Sequence, residues 1–146
     1  MRELPRQLTV AELAELFEGR THFVEQLARL DNPLEQARTL VHRLPADDKR
    51  EVLDAHPAIG QRADLSARSA AEQGADDDPA VLEELEGLNA EYERRFGFRF
   101  VVFVNRRPKS ELVPVLRERL GRTPEEELET ALDELVSIAE DRWRRS

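Results

Sequence analysis

The chain has 146 residues, 40% of them hydrophobic and 36% charged, with a net charge of −9 and no cysteine. That is the size of one domain around one core, with the composition of a soluble globular protein. The missing cysteines exclude disulfides, thiolate metal sites and a cysteine nucleophile. The acidic balance counts against a general nucleic-acid binder, which needs clustered Lys and Arg on phosphates. It leaves room for a small anionic substrate held at a local positive site. No stretch approaches the roughly 20 apolar residues of a membrane span. Met1-Arg2-Glu3-Leu4-Pro5 lacks the apolar run of a signal peptide, so a cytoplasmic location is expected.

Thr9-Val10-Ala11-Glu12 has the spacing of a capping box and opens a first helix with Leu13, Leu16 and Phe17 on one stripe. Gly19 is its expected stop, since glycine takes left-handed geometry without steric cost. A second helix is predicted from Thr21, with Phe23, Val24, Leu27 and Leu30 inward. Asn32 as cap and Pro33 at the first helical position begin a third, burying Leu34, Ala37, Leu40 and Val41. A fourth, short helix starts near Pro45, and its Val52 and Leu53 lead to His56. Pro57 disfavours helical geometry at the residue before it, so this helix should end at His56. Residues 61–65 read as a connection. Ser66 or Ser69 then caps a short helix holding Ala70, Ala71, Glu72 and Gln73.

Asp78 as cap and Pro79 after it open the clearest helix, where Leu82, Leu85, Leu88, Tyr92 and Phe96 recur every three or four residues. Gly97 stops it. Residues 98–104 are the one strongly β-prone run. A lone strand has no partner for its backbone groups. An extended segment buried between helices is therefore expected, with some N–H groups open to a ligand. Residues 110–120 read as a helix that Pro114 should distort or delay, ended by Gly121. Thr123, Pro124 and Glu126 combine a cap, an N-terminal proline and a capping-box carboxylate. The last helix aligns Leu128, Leu132, Leu135, Ala139 and Arg142. The expected architecture is an all-α single domain over residues 1–146, a bundle of about eight helices with one extended buried segment.

Three places carry residues beyond the needs of a helical frame. His56 is pinned by Pro57, and its spacing to His22 and His42 matches no metal motif. It reads either as a helix-end histidine satisfying a carbonyl or as an imidazole that moves a proton near neutral pH. Glu72-Gln73, flanked by Ala70, Ala71, Gly74 and Ala75, is either an exposed helix turn or a carboxyl and an amide that a ligand can approach. Arg142 lies on an apolar line, so it either snorkels to water or pairs with an anion. There is no Gly-rich phosphate loop, paired-carboxylate signal or nucleophile elbow.

His56-Pro57-Ala58-Ile59-Gly60, Ser69-Ala70-Ala71-Glu72-Gln73 and Leu88-Asn89-Ala90-Glu91-Tyr92-Glu93-Arg94-Arg95-Phe96-Gly97-Phe98-Arg99-Phe100 resemble the OHCU decarboxylase family. OHCU is 2-oxo-4-hydroxy-4-carboxy-5-ureidoimidazoline. The ending with Glu134, Ile138, Arg142 and Trp143 is also similar. The resemblance implies an all-helical homodimer that converts OHCU to (S)-allantoin after urate oxidation, with loss of CO2 and without a cofactor or metal. By position, His56 and Glu72 match catalytic residues. Pro57, Ser69 and Gln73 match substrate contacts, and Phe100, Val101, Val102, Phe103 and Val104 match a segment that touches substrate largely through backbone. Arg142 matches a substrate arginine. Arg99 stands where the family often has proline, and Pro114 interrupts a helix that is usually regular. The rival readings are a helical binding module of the same fold without activity, and a decarboxylase of a related ureido acid.

Overall fold

The computed structural model describes residues 4–60 and 78–145. Among the described residues there are seven helices and no strand. They are α1 (Val10–Leu16), α2 (His22–Leu27), α3 (Pro33–Arg43), α4 (Ala46–Asp54), α5 (Pro79–Phe96), α6 (Lys109–Leu120) and α7 (Pro124–Arg145). The all-α expectation holds. The short helix expected around Glu72 and Gln73 lies outside the described residues. No described helix is long and apolar enough to cross a membrane.

The strongest local signals act as read. Thr9 Oγ1 accepts the Glu12 N–H at 3.1 Å, and the Glu12 carboxylate accepts the Thr9 N–H at 3.0 Å. Thr123 and Glu126 repeat the exchange at the start of α7, at 3.1 Å each way. These bonds satisfy helix N–H groups that have no partner within the helix. Asp78 caps α5 through the Ala80 N–H at 2.9 Å, and Gly97 ends it at φ 79.

Four expectations change. The left-handed residue after α1 is Glu18 (φ 65), not Gly19. Asn32 occupies the cap position of α3 but takes left-handed geometry (φ 54) and makes no side-chain cap bond. α2 ends at Leu27, short of Leu30, which packs against the core from the following turn. α6 runs through Pro114 and starts at Lys109. Pro114 and Ser110 are both exposed, so water can take the carbonyl that the proline leaves without a donor.

α7 is the axis of the fold. It buries Ala131, Leu132, Leu135, Val136 and Ala139 and packs against α1, α3 and α4. α5 packs against α6. Residues 98–104, which join α5 to α6 in the chain, form neither helix nor strand, and Phe98, Phe100, Val101, Val102 and Val104 are buried. Tyr92 meets Phe96, Phe98 and Phe100 at centroid distances of 4.6, 5.9 and 5.2 Å.

A buried polar cluster locks this segment to three helices. Glu127, fully buried, accepts from Tyr92 Oη at 2.6 Å, Arg119 Nε at 2.7 Å and Arg122 Nη1 at 2.8 Å. Arg119 also donates to the Val101 carbonyl at 2.8 Å and lies 4.6 Å over the Phe100 ring. Burial and the bond to Glu127 push the Tyr92 hydroxyl well above its usual range, so it remains a neutral donor. Removing one member of a buried ion pair leaves the rest uncompensated, at a cost of roughly 3–5 kcal/mol. Glu127→Ala is therefore expected to lose about that much stability in urea unfolding. A loss below about 1 kcal/mol would mean that Arg119 and Arg122 are satisfied without it.

Candidate active site

α4 delivers His56. The helix ends at Asp54, and the His56 N–H still closes onto the Leu53 carbonyl at 3.1 Å. Pro57 then carries the chain away. Arg99 Nη1 donates to the His56 carbonyl at 2.7 Å, and the Arg99 N–H donates to Asp54 at 2.9 Å. Asn89 Nδ2 holds the Ile59 carbonyl at 3.0 Å. Gly60 (φ 88) closes the turn where a Cβ would meet Leu82 and Leu85 at 3.5–3.6 Å. The His56 backbone is thus fixed on both sides.

The imidazole is 4% exposed, and its Nε2 is buried with no hydrogen-bond partner among the described residues. Burial, reinforced by the charges of Arg142 and Arg99 and opposed by Glu18, holds its pKa down at about 4. At neutral pH the ring is uncharged.

Arg142 does not snorkel. Its side chain is 2% exposed and points into the turn after α1. Nη1 donates to the carbonyls of Glu15 (3.2 Å) and Leu16 (3.3 Å), and Nη2 donates to Glu18 Oε1 at 2.9 Å.

The extended segment supplies a wall of uneven polarity. The Val101 carbonyl is held by Arg119, while Arg107 holds those of Phe103 (2.8 Å) and Val104 (3.0 Å). The Phe103 N–H reaches Glu134 at 3.4 Å. Among the described residues, the N–H groups of Phe100, Val101, Val102 and Val104 find no acceptor. Unpaired buried donors are rare in folded proteins.

These pieces meet in one open pocket. His56, Pro57, Phe100, Val101, Val102, Phe103, Val104 and Arg142 line it, with Ile59 and Ile138. Every described member of the sequence-derived set is therefore brought together. Ser69, Glu72 and Gln73 lie outside the described residues. Sequence reasoning missed Glu18, and it took Arg99 only as a departure from a family pattern. Neither carries a local signal, since their partners are 124 and 43 residues away.

Elsewhere, His22, Asp48 and Glu51 have ligand atoms within 4.8 Å of one another. His22 is exposed and already bonded to both, at 3.0 Å to Asp48 and, through its N–H, 2.7 Å to Glu51. This cluster is no part of the pocket.

A pocket that joins a buried neutral histidine to a clamped guanidinium, set in a helical frame, suits a small polar molecule. The OHCU decarboxylase family model matches residues 2–144. The chain is 31% identical over 129 residues to the 2-oxo-4-hydroxy-4-carboxy-5-ureidoimidazoline decarboxylase of Haloferax volcanii, covering 81% of this chain and 77% of that one. It is 35% identical to the uric acid degradation bifunctional protein of Arabidopsis thaliana over 67% of this chain, and spans a third of that longer protein. A crystal structure of OHCU decarboxylase in the presence of (S)-allantoin superposes with a TM-score of 0.71 at 27% identity, covering 90% of this chain and 94% of that one. The chain belongs to the OHCU decarboxylase family.

The lowered pKa of His56 has a consequence for stability. Between its folded value of about 4 and the ordinary 6.5, the unfolded chain binds a proton that the folded chain does not. The contribution is intact above pH 6.5 and is lost as pH falls towards 4, by about 3 kcal/mol in all. His56→Gln should flatten this part of the curve. Parallel pH–stability curves for the two proteins in urea unfolding would show that His56 is not held neutral.

Proposed function

We propose that this protein decarboxylates OHCU to (S)-allantoin in urate degradation, with no cofactor, as a cytoplasmic homodimer. Family membership supports the reaction class. The observation that carries the reading to individual residues is the buried, neutral His56, with Nε2 unpartnered among the described residues, on a pocket shared with Arg142 and a row of unpaired N–H groups.

The chemistry needs no electron sink beyond the substrate. The bond from the ring to the carboxylate breaks, CO2 leaves, and the electron pair enters the adjacent C=N bond. The ring nitrogen of that bond takes up one proton and a second is added to one face of the neighbouring carbon, so that with the hydroxyl proton released one proton is drawn from water overall. The substrate hydroxyl gives up its proton and becomes the carbonyl of the product. The enzyme must orient the carboxylate out of the ring plane, stabilise developing charge and deliver the proton to one face.

In this proposal the neutral His56 acts as the base that takes the hydroxyl proton. Glu72 shares the proton handling as its partner, on the family resemblance. Arg142 holds the anionic oxygen. The N–H groups of Val101, Val102 and Val104 grip ureido and ring carbonyls, with Ser69, Gln73 and Pro57 completing the contacts. Arg99 keeps His56 in place through its carbonyl.

Circular dichroism of freshly generated OHCU tests this reading. The wild-type chain should bring up the (S)-allantoin signal rapidly. His56→Ala should leave only the slow, racemic decay while keeping the helical spectrum. Rapid (S)-allantoin formation by His56→Ala would refute the role of His56. An inactive wild type would refute the substrate and point to a related ureido acid or a binding role.

A further inference from the structure

Glu18 sits in the turn between α1 and α2 with φ 65, a backbone state that glycine adopts far more readily. Gly19 is the next residue, yet the chain places the left-handed geometry on Glu18. Strain of this kind persists where surrounding contacts over-determine it, and here the contact is visible. The Glu18 side chain is 11% exposed, and its carboxylate accepts from Arg142 Nη2 at 2.9 Å. The same turn supplies the carbonyls of Glu15 and Leu16 to Arg142 Nη1. The end of α1 thus offers three acceptors to one guanidinium, and only Glu18 brings a full negative charge.

Glu18 does not line the pocket, whereas Arg142 and His56 do. Its influence on the site passes through them. It forms an ion pair with Arg142, and its charge opposes the depression that burial, Arg142 and Arg99 impose on the His56 imidazole.

We infer that Glu18 is a positioning residue of this site: its carboxylate, aimed by the left-handed turn after α1, sets the orientation of the Arg142 guanidinium at the pocket wall and offsets its charge. The inference rests on the proposed role of Arg142 in holding the substrate anion. A guanidinium clamped by Glu18 is held fixed at the pocket wall, and fixed donors need no reorganisation during the reaction.

Two variants of the full chain separate positioning from simple folding. Glu18→Gly removes the carboxylate while suiting the backbone geometry, so strain relief offsets part of the lost contact. Glu18→Gln keeps a neutral acceptor in place. The first readout is the nitrogen-15 spectrum of the Arg142 guanidinium at low temperature, which needs no substrate. Resolved Nη signals from hindered rotation are expected in wild type, averaged signals in Glu18→Gly, and partial recovery in Glu18→Gln. The second readout is turnover of OHCU. Glu18→Gly should lower kcat/KM by roughly 10- to 100-fold, and Glu18→Gln should restore part of it. Adding Glu18→Gly to Arg142→Met should cost nothing further.

Unchanged guanidinium signals in Glu18→Gly would overturn the inference. So would an equal loss of kcat/KM in the presence and absence of Arg142. If Glu18→Gly does not fold, the same comparisons with Glu18→Gln decide. A wild-type chain that does not turn over OHCU removes the proposed function, and the guanidinium spectrum still decides the positioning.

Discussion

Residues 98–104 form no helix and pair with no strand among the described residues, so their backbone groups must find partners among side chains. Three of the carbonyls do so, while those of Phe98, Arg99, Phe100 and Val102 have no donor among the described residues. Arg119 takes that of Val101, and Arg107 takes those of Phe103 and Val104. Among the N–H groups, that of Arg99 goes to Asp54 and that of Phe103 to Glu134, while those of Phe100, Val101, Val102 and Val104 have no acceptor among the described residues. The segment thus keeps backbone groups of both kinds unpaired among the described residues, and Phe100 to Val104 line the pocket. Much of the frame serves it: α6 and α7 bring Arg119 and Glu127 together, and Tyr92 from α5 closes that cluster.

Charge is distributed to the same end. The chain is strongly acidic as a whole, yet the pocket has Arg142 in its lining and Arg99 bound to the His56 carbonyl. Burial depresses the imidazole most, and both cations depress it further. A neutral histidine beside a clamped guanidinium suits a reaction in which an anionic carboxylate is held and a hydroxyl proton is removed. An exposed histidine such as His22, raised by its bond to Asp48, has the opposite character. Environment, not residue type, separates the two.

Local signals in the sequence carried the frame well. Both capping boxes, the Asp78–Pro79 start, the Gly97 stop and the extended run after it are settled within a few residues of chain. His56, the segment from Phe100 to Val104 and Arg142 were legible as site candidates through family resemblance, and the fold brings them onto one pocket. What escaped depends on distant partners. Glu18 looks like an ordinary surface glutamate until Arg142 arrives from the other end of the chain. Arg99 looks like a departure until its guanidinium meets the His56 carbonyl. Gly19 looked like the stop because a local rule cannot know that the neighbouring glutamate gains a buried ion pair. Pro114 was expected to disturb α6, but the carbonyl it leaves behind faces water.

The central claim is that the unpaired N–H groups of the extended segment take the ligand alongside His56 and Arg142. Amide hydrogen exchange, followed residue by residue by NMR with and without (S)-allantoin, tests it most directly. The account expects the amides of Val101, Val102 and Val104 to slow on addition of ligand, with the His56 ring signals shifting in step. Unaltered exchange in this segment, with slowing confined to another face of the protein, would contradict it.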